Sequence, residues 1–198
     1  MTGTWVFVCG ASGAGKDSVI GWAREHLAAR HDIVFAQRIV TRSEPSGLDH
    51  QAVDPAQFED LRRRAALAWH WQAHGYCYGI AARYARQVAW GRVVVVNGSR
   101  EHVTRLAQDG ISTVLIGAQS TQLAERLARR GRDAPEAIAE RLARNARFDR
   151  ESADLVIRND GALPDAGRRL AGFLLAQVKD GTDSAPALDA PALPLSAP

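Results

Sequence analysis

Apolar positions along the chain fall into two recurring patterns. Short unbroken runs read as strands buried on both faces, and spaced apolar positions read as amphipathic helices. Trp5 to Cys9 (WVFVC) is such a run and stops at Gly10. Val19, Ile20, Ala23 and Leu27 then recur at helical spacing. The β-branched stretch Ile33 to Val40 predicts a second strand. Asp54, Pro55 and Gln57 spell an N-cap, a first-turn proline and a capping-box partner, so a helix starts there. Tyr84 and Val88 followed by Gly91 predict a further helix and its stop. Val93 to Val96 (VVVV) and Thr113 to Ile116 (TVLI) are the next buried strands. Asp133, Pro135 and Glu136 repeat the capping pattern before Ile138 and Leu142. Asp154 to Ile157 (DLVI) predicts a last short strand. Leu163, Ala166, Leu170, Phe173, Leu174 and Val178 form an amphipathic closing helix. Alternating strands and helices with strands this apolar predict an α/β chain built on a parallel sheet covered on both faces. No internal repeat is visible.

Composition sharpens this picture. The 198 residues, 46% hydrophobic and 24% charged, suit one domain with a core that needs no disulfides. From Gly181 onward the composition shifts. Prolines 186, 191, 194 and 198 sit among Ala, Ser and Asp, so residues 181–198 read as a disordered tail. No stretch of about twenty apolar residues is present. The opening MTGTWVFVCG lacks a basic n-region and a small-residue cleavage site, so no secretory leader is expected. Two cysteines, Cys9 and Cys77, make no disulfide framework, and a cytoplasmic location is expected. The net charge of +3 is too small to argue for nucleic acid. Of the 25 Lys and Arg positions, only Lys16 and Lys179 are lysine. A lysine kept in so arginine-rich a chain asks for a reason.

Lys16 supplies one. Gly10, Ala11, Ser12, Gly13, Ala14, Gly15, Lys16, Asp17 and Ser18 follow the first strand and open the first helix, the G-x-x-x-x-G-K context of a phosphate-binding loop. Glycines let successive backbone N–H groups turn inward on an anion, and the helix N-terminus adds partial positive charge. A slim lysine reaches past them to the β- and γ-phosphates, where the planar arginine fork is bulkier. A plain glycine-rich connection is the competing reading, but the three glycines and the lysine between strand and helix argue against it. Asp17 stands where Ser or Thr would give magnesium a hydroxyl, and Asn97 ends the strand where many such enzymes carry an acid. Either the two exchanges compensate, with Asp17 supplying the carboxylate or Ser18 the hydroxyl to magnesium, or Asp17 simply caps the helix.

From about Thr4 to Leu174 the order of segments resembles the guanylate kinase group. Val40-Thr41-Arg42 resembles the Thr-Thr-Arg that grips the acceptor phosphate there. The segment 71–79 (WQAHGYCYG) matches its Tyr-Tyr-Gly region and puts Tyr78 on the tyrosine. Arg126, Arg130 and Arg141 match the lid arginines, and 154–160 (DLVIRND), with Asn159, resembles the strand and turn beside the adenine. The guanine-reading positions differ: Trp69 replaces a glutamate, Asn97 an aspartate, and a second arginine is missing near Pro45. A site for GMP is therefore not expected. The tetrapeptide GKDS, the run Arg38 to Arg42, the segment 67–75 (LAWHWQAHG) and 95–100 (VVNGSR) together resemble the ribose 1,5-bisphosphate phosphokinases.

That resemblance implies a P-loop NTPase of guanylate kinase-like fold spanning 1–180, with an acceptor-binding region at about 33–90 and a lid at about 120–148. It implies ATP-dependent phosphorylation of ribose 1,5-bisphosphate to 5-phosphoribosyl 1-diphosphate in phosphonate catabolism, with Mg2+ and no catalytic base. Lys16 and the three lid arginines would act on the transferring group. Arg38, Arg42 and Arg100 would clamp the acceptor's phosphates, with Thr41 and Tyr78 beside them. Trp69, His74 and Asn97 would shape a sugar pocket, along with Trp71 and His70. Trp69 and Trp71 suit a core as well as a pocket. His70 and His74 sit in a strand-like context, which spoils a metal pair. Arginines between 126 and 150 could also form a solvated face with Glu125, Glu136 and Glu140, a reading kept for Arg150. The alternatives are a nucleoside monophosphate kinase, or a non-enzymatic binding module of the kind that loses the phosphate loop, which is intact here.

Overall fold

The computed structural model describes residues 2–11, 13–42, 49–73, 75–99, 110–119, 121–123 and 153–179. Several expectations lie outside them: the helix at 133–142, the lid, Ser12, His74, Arg100, Arg126, Arg130, Arg141 and the tail. Along the chain run β1 (Thr4–Gly10), α1 (Lys16–His26), β2 (Ile33–Phe35), β3 (Arg38–Val40), β4 (His50–Ala52), α2 (Pro55–Arg63) and β5 (Leu67–Ala73). These are followed by β6 (Tyr76–Ala81), α3 (Arg83–Ala89), β7 (Val93–Asn97), β8 (Ile111–Gly117), β9 (Leu155–Arg158) and α4 (Leu163–Ala176).

Five strands form a parallel sheet in the order β2-β7-β1-β8-β9. β1 and β7 are buried along nearly their whole length, which is why their sequences are apolar without alternation. The twofold period of a strand then divides each run between two cores. Val6, Val8, Val93, Val95, Val114 and Ile116 face α1 and α4. Those two helices approach closely: a Cβ on Gly167 would lie 2.2 Å from the Trp22 ring. Trp5, Phe7, Val94 and Val96 face the other way, toward Trp71, Ile80 and Tyr84.

A second sheet, in the order β4-β3-β6-β5, carries Trp71 and Ile80, while Tyr84 lies on α3. Here the sequence reading needs one correction. The run Ile33 to Val40 is not a single strand. Ile33–Phe35 pairs with β7 in the central sheet, and Arg38–Val40 pairs with β6 and β4 in the second. The chain changes sheets at Ala36 and Gln37, where Ala36 donates its N–H to Val95 and Gln37 donates its N–H to the Tyr84 hydroxyl. β-Branched residues favour extended backbone but carry no address for the partner strand.

The WHWQA segment is a strand, as expected. Trp69 meets Trp5 and Phe7 edge-on, each at 5.7 Å between ring centroids, and Trp71 stacks on Tyr78 at 5.5 Å. Both tryptophans therefore pack in the core between the sheets. The α2 start is a full capping box: Asp54 accepts from the Gln57 N–H at 2.7 Å, and Gln57 accepts from the Asp54 N–H at 3.0 Å. Gly91, at φ +87°, follows the end of α3. Among the described residues no helix is long and apolar enough to cross a membrane.

Candidate active site

The phosphate loop runs from the end of β1 to the start of α1, at the carboxyl edge of the parallel sheet. Gly10 lies so close to β8 that a Cβ would come within 2.3 Å of the Ile116 carbonyl. Gly13 (φ +86°) and Gly15 (φ +78°) take the left-handed turns that curl the backbone. Gly15 is also the N-cap residue of α1, so the amides of the first helical turn open onto the loop without intrahelical partners. From beneath, the buried Asn159 donates Nδ2 to the Ala14 carbonyl at 2.8 Å and its own N–H to Gly117. Asn159 thus holds the loop in shape from the end of β9.

Asp17 does not cap the helix, since the N-cap is Gly15. Its carboxylate turns instead toward β7, where Asn97 Nδ2 donates to Oδ1 at 2.7 Å. The two exchanged residues of the sequence reading are therefore direct partners across 80 positions. Desolvation pushes the Asp17 carboxyl up, but the Lys16 charge, the Asn97 hydrogen bond and the Arg38 charge outweigh it. They hold it below its ordinary value of 3.8. Lys16 Nζ stands 3.5 Å from the same oxygen. Asn97 is 6% exposed, and its Oδ1 is buried and accepts no hydrogen bond among the described residues. Ser18 is exposed on the same turn of α1.

A groove runs from this pair toward the second sheet, lined by Asp17, Asn97, Arg24, Phe35, Ala36 and Asp49. On its far wall stands Asp49, which is joined twice to Arg38. The Arg38 N–H donates to the Asp49 carbonyl at 3.1 Å, and Arg38 Nη2 meets Asp49 Oδ2 at 3.0 Å. His50 Nδ1 contacts the other carboxylate oxygen at 2.9 Å. Burial opposes ionisation of Asp49, but the His50 contact and the Arg38 charge hold its carboxyl below 3.8. Arg38 Nε is buried and makes no hydrogen bond among the described residues.

The remaining sequence candidates sit farther along the second sheet. Thr41 Oγ1 accepts from the Cys77 N–H at 2.8 Å, locking β3 to β6. Arg42 lies 6.0 Å over the Tyr76 ring. The structure thus gathers Lys16, Asp17, Asn97 and Arg38, and it gives Thr41, Trp69 and Tyr78 packing or sheet-tying contacts. Asp49 and His50 escaped the sequence reading. Nothing local marks them, since their place beside Arg38 follows from the pairing of β3 with β4.

A glycine-lined anion nest, a retained lysine and a groove holding Arg24, with Arg38 paired to Asp49 on its rim, suit transfer between two phosphate-bearing molecules. No protein-family model matches the chain. The chain is 44% identical over 179 residues to ribose 1,5-bisphosphate phosphokinase PhnN of Pseudomonas paraeruginosa, covering 88% of this chain and 96% of that protein. It is 41% identical over 175 residues to the protein of the same name from Janthinobacterium, of whose length the match spans 38%. Among solved structures, guanylate kinase from Anaplasma phagocytophilum aligns over 91% of this chain and 89% of its own, with a TM-score of 0.66 and 19% identity. The fold is therefore that of the guanylate kinases, and the chain belongs to the ribose 1,5-bisphosphate phosphokinase family.

Proposed function

We propose that this protein transfers the γ-phosphoryl group of ATP to the anomeric phosphate of ribose 1,5-bisphosphate, giving 5-phosphoribosyl 1-diphosphate and ADP. What supports the reading is an intact phosphate loop beside a groove that runs from Asp17, in the first turn of α1, to Asp49, the partner of Arg38. The names of its relatives supply the acceptor. An ionised oxygen of the anomeric phosphate attacks the γ-phosphorus; the new O–P bond forms as the bond to the ADP oxygen breaks. That nucleophile already carries its charge at neutral pH, so no side chain has to remove a proton. Catalysis is left to positioning and charge neutralisation.

The loop from Gly10 to Gly15 and the first turn of α1 receive the donor's phosphates, with Lys16 on the transferring group. Asn159 keeps that loop in its binding shape by holding Ala14. Arg38 faces the acceptor, and Arg42, Arg100 and Thr41 are assigned to the same acceptor region. Arg126, Arg130 and Arg141 are assigned, from the sequence, to a lid over the transferring group. The donor set also suits magnesium. Among the described residues no three His, Cys, Asp or Glu side chains cluster as a cage, but Asp17 offers an ionised carboxylate beside the loop and Ser18 a hydroxyl. One protein carboxylate is typical for an ion that keeps its waters and takes further oxygens from substrate phosphates. Bound there, it would neutralise charge on the bridging oxygens. The reaction is assigned to the cytoplasm, with small molecules as partners.

Incubation with ATP and either ribose 1,5-bisphosphate or GMP tests the reading. We expect 5-phosphoribosyl 1-diphosphate and ADP in equal amounts from the first, and at most traces of GDP from the second. Efficient GMP turnover would overturn it.

A further inference from the structure

Asp49 is an anomaly in a groove meant for a doubly phosphorylated acceptor. An ionised carboxylate repels phosphate, yet Asp49 lines the groove with its side chain 44% exposed. Its partners do not exhaust it. Oδ2 takes one bond from Arg38 and Oδ1 one contact from His50, whereas each carboxylate oxygen can accept two. Asn97 is the second acceptor in the same groove, 94% buried and with Oδ1 left without a donor among the described residues. An orphaned buried acceptor is costly unless a ligand supplies the donor. Two acceptors facing one groove from its two sides call for hydroxyls. In ribose 1,5-bisphosphate the donors at neutral pH are the hydroxyls at C2 and C3, and a vicinal pair matches a single carboxylate.

Resting on the phosphoryl-transfer reading above, we propose that Asp49 receives the vicinal hydroxyls of the acceptor sugar and makes this site select a ribosyl over a 2-deoxyribosyl bisphosphate. The same carboxylate then does two jobs. It fixes Arg38 through Nη2, leaving other guanidinium N–H groups for phosphate, and it reads the sugar with its free lone pairs. The contact is worth about 10- to 100-fold in kcat/KM, as expected for hydrogen bonds to a charged, partly exposed group.

The test compares ribose 1,5-bisphosphate with its 2-deoxy analogue in the wild type and in Asp49→Asn, with Asp49→Ser as a second variant and thermal melts to check folding. Loss of Arg38 positioning lowers turnover of both sugars alike, so the ratio between them isolates the hydroxyl contact. Where turnover is too slow, the ratio is read from the Kd values by calorimetry. We expect a wild-type preference of at least tenfold that falls to within threefold of unity in the variants. A wild-type preference below tenfold overturns the proposal without any variant, and so does a variant preference that stays above threefold. If the wild type turns over neither sugar, the phosphoryl-transfer reading itself fails and the inference falls with it.

Discussion

At the scale of single residues, the site rests on an exchange of roles between Asp17 and Asn97. A carboxylate moved onto the helix and an amide left on the strand still meet at 2.7 Å. Because the folded Asp17 titrates below 3.8, it stays ionised at and above that pH, and it protonates only as the pH falls through its lowered value. It cannot shape activity near pH 6. The acceptor phosphate, with a second pKa of about 6, does that instead. Asp17→Asn is therefore expected to cut kcat by about 100-fold while leaving the midpoint of the acid limb in place, as a pH–rate profile would read. A midpoint that moves with the mutation would contradict this assignment. The sequence made Lys16, Asp17 and Asn97 legible because glycine spacing and a strand end announce them, and Arg38 through the resemblance of its segment to a known family. Asp49 and His50 were illegible: they become neighbours of Arg38 only once β4 lies beside β3.

At the scale of elements, local chemistry was readable wherever it is complete within a few residues. The Asp54–Gln57 box is the clearest case, since both of its bonds are made between residues three apart. Asp54→Ala is expected to cost about 1 kcal/mol, seen as a lower midpoint in urea with kcat little changed. A loss of activity out of proportion to stability would mean that α2 does more than support Phe58 against Ile39 and Val53. The stretch 33–40 was not readable in the same way. Its extended character is intrinsic, but its division between two sheets is decided by Val95 and Tyr84, some fifty residues away. Trp69 and Trp71 were ambiguous for a similar reason: a strand face lined with indoles looks the same whether a sheet or a sugar covers it.

At the scale of the molecule, the proposed reaction assigns its two substrates to different parts of one fold, the donor to the loop and the acceptor to the second sheet. A ligand that binds the native state alone stabilises it by about 2.7 kcal/mol at a hundred times its Kd. In a chain of this size that amounts to a rise in Tm of about 5–10 °C. A nonhydrolysable ATP analogue is expected to produce such a rise, and Lys16→Ala to abolish most of it at the same concentration. An equal rise in the variant would remove Lys16 from donor binding. The change of sheet at Ala36 has a longer reach. β2 and β7 are hydrogen-bonded neighbours, Ile33 beside Val93 and Phe35 beside Val95, yet 57 positions separate the two strands in the chain at Phe35 and Val93. Everything between leaves from the end of the edge strand β2 and re-enters at the start of its parallel neighbour β7. That excursion is not self-contained: its Trp69, Trp71, Ile80 and Tyr84 pack on Trp5 and Phe7, so a change of side chain there is felt by the strand that leads into the phosphate loop.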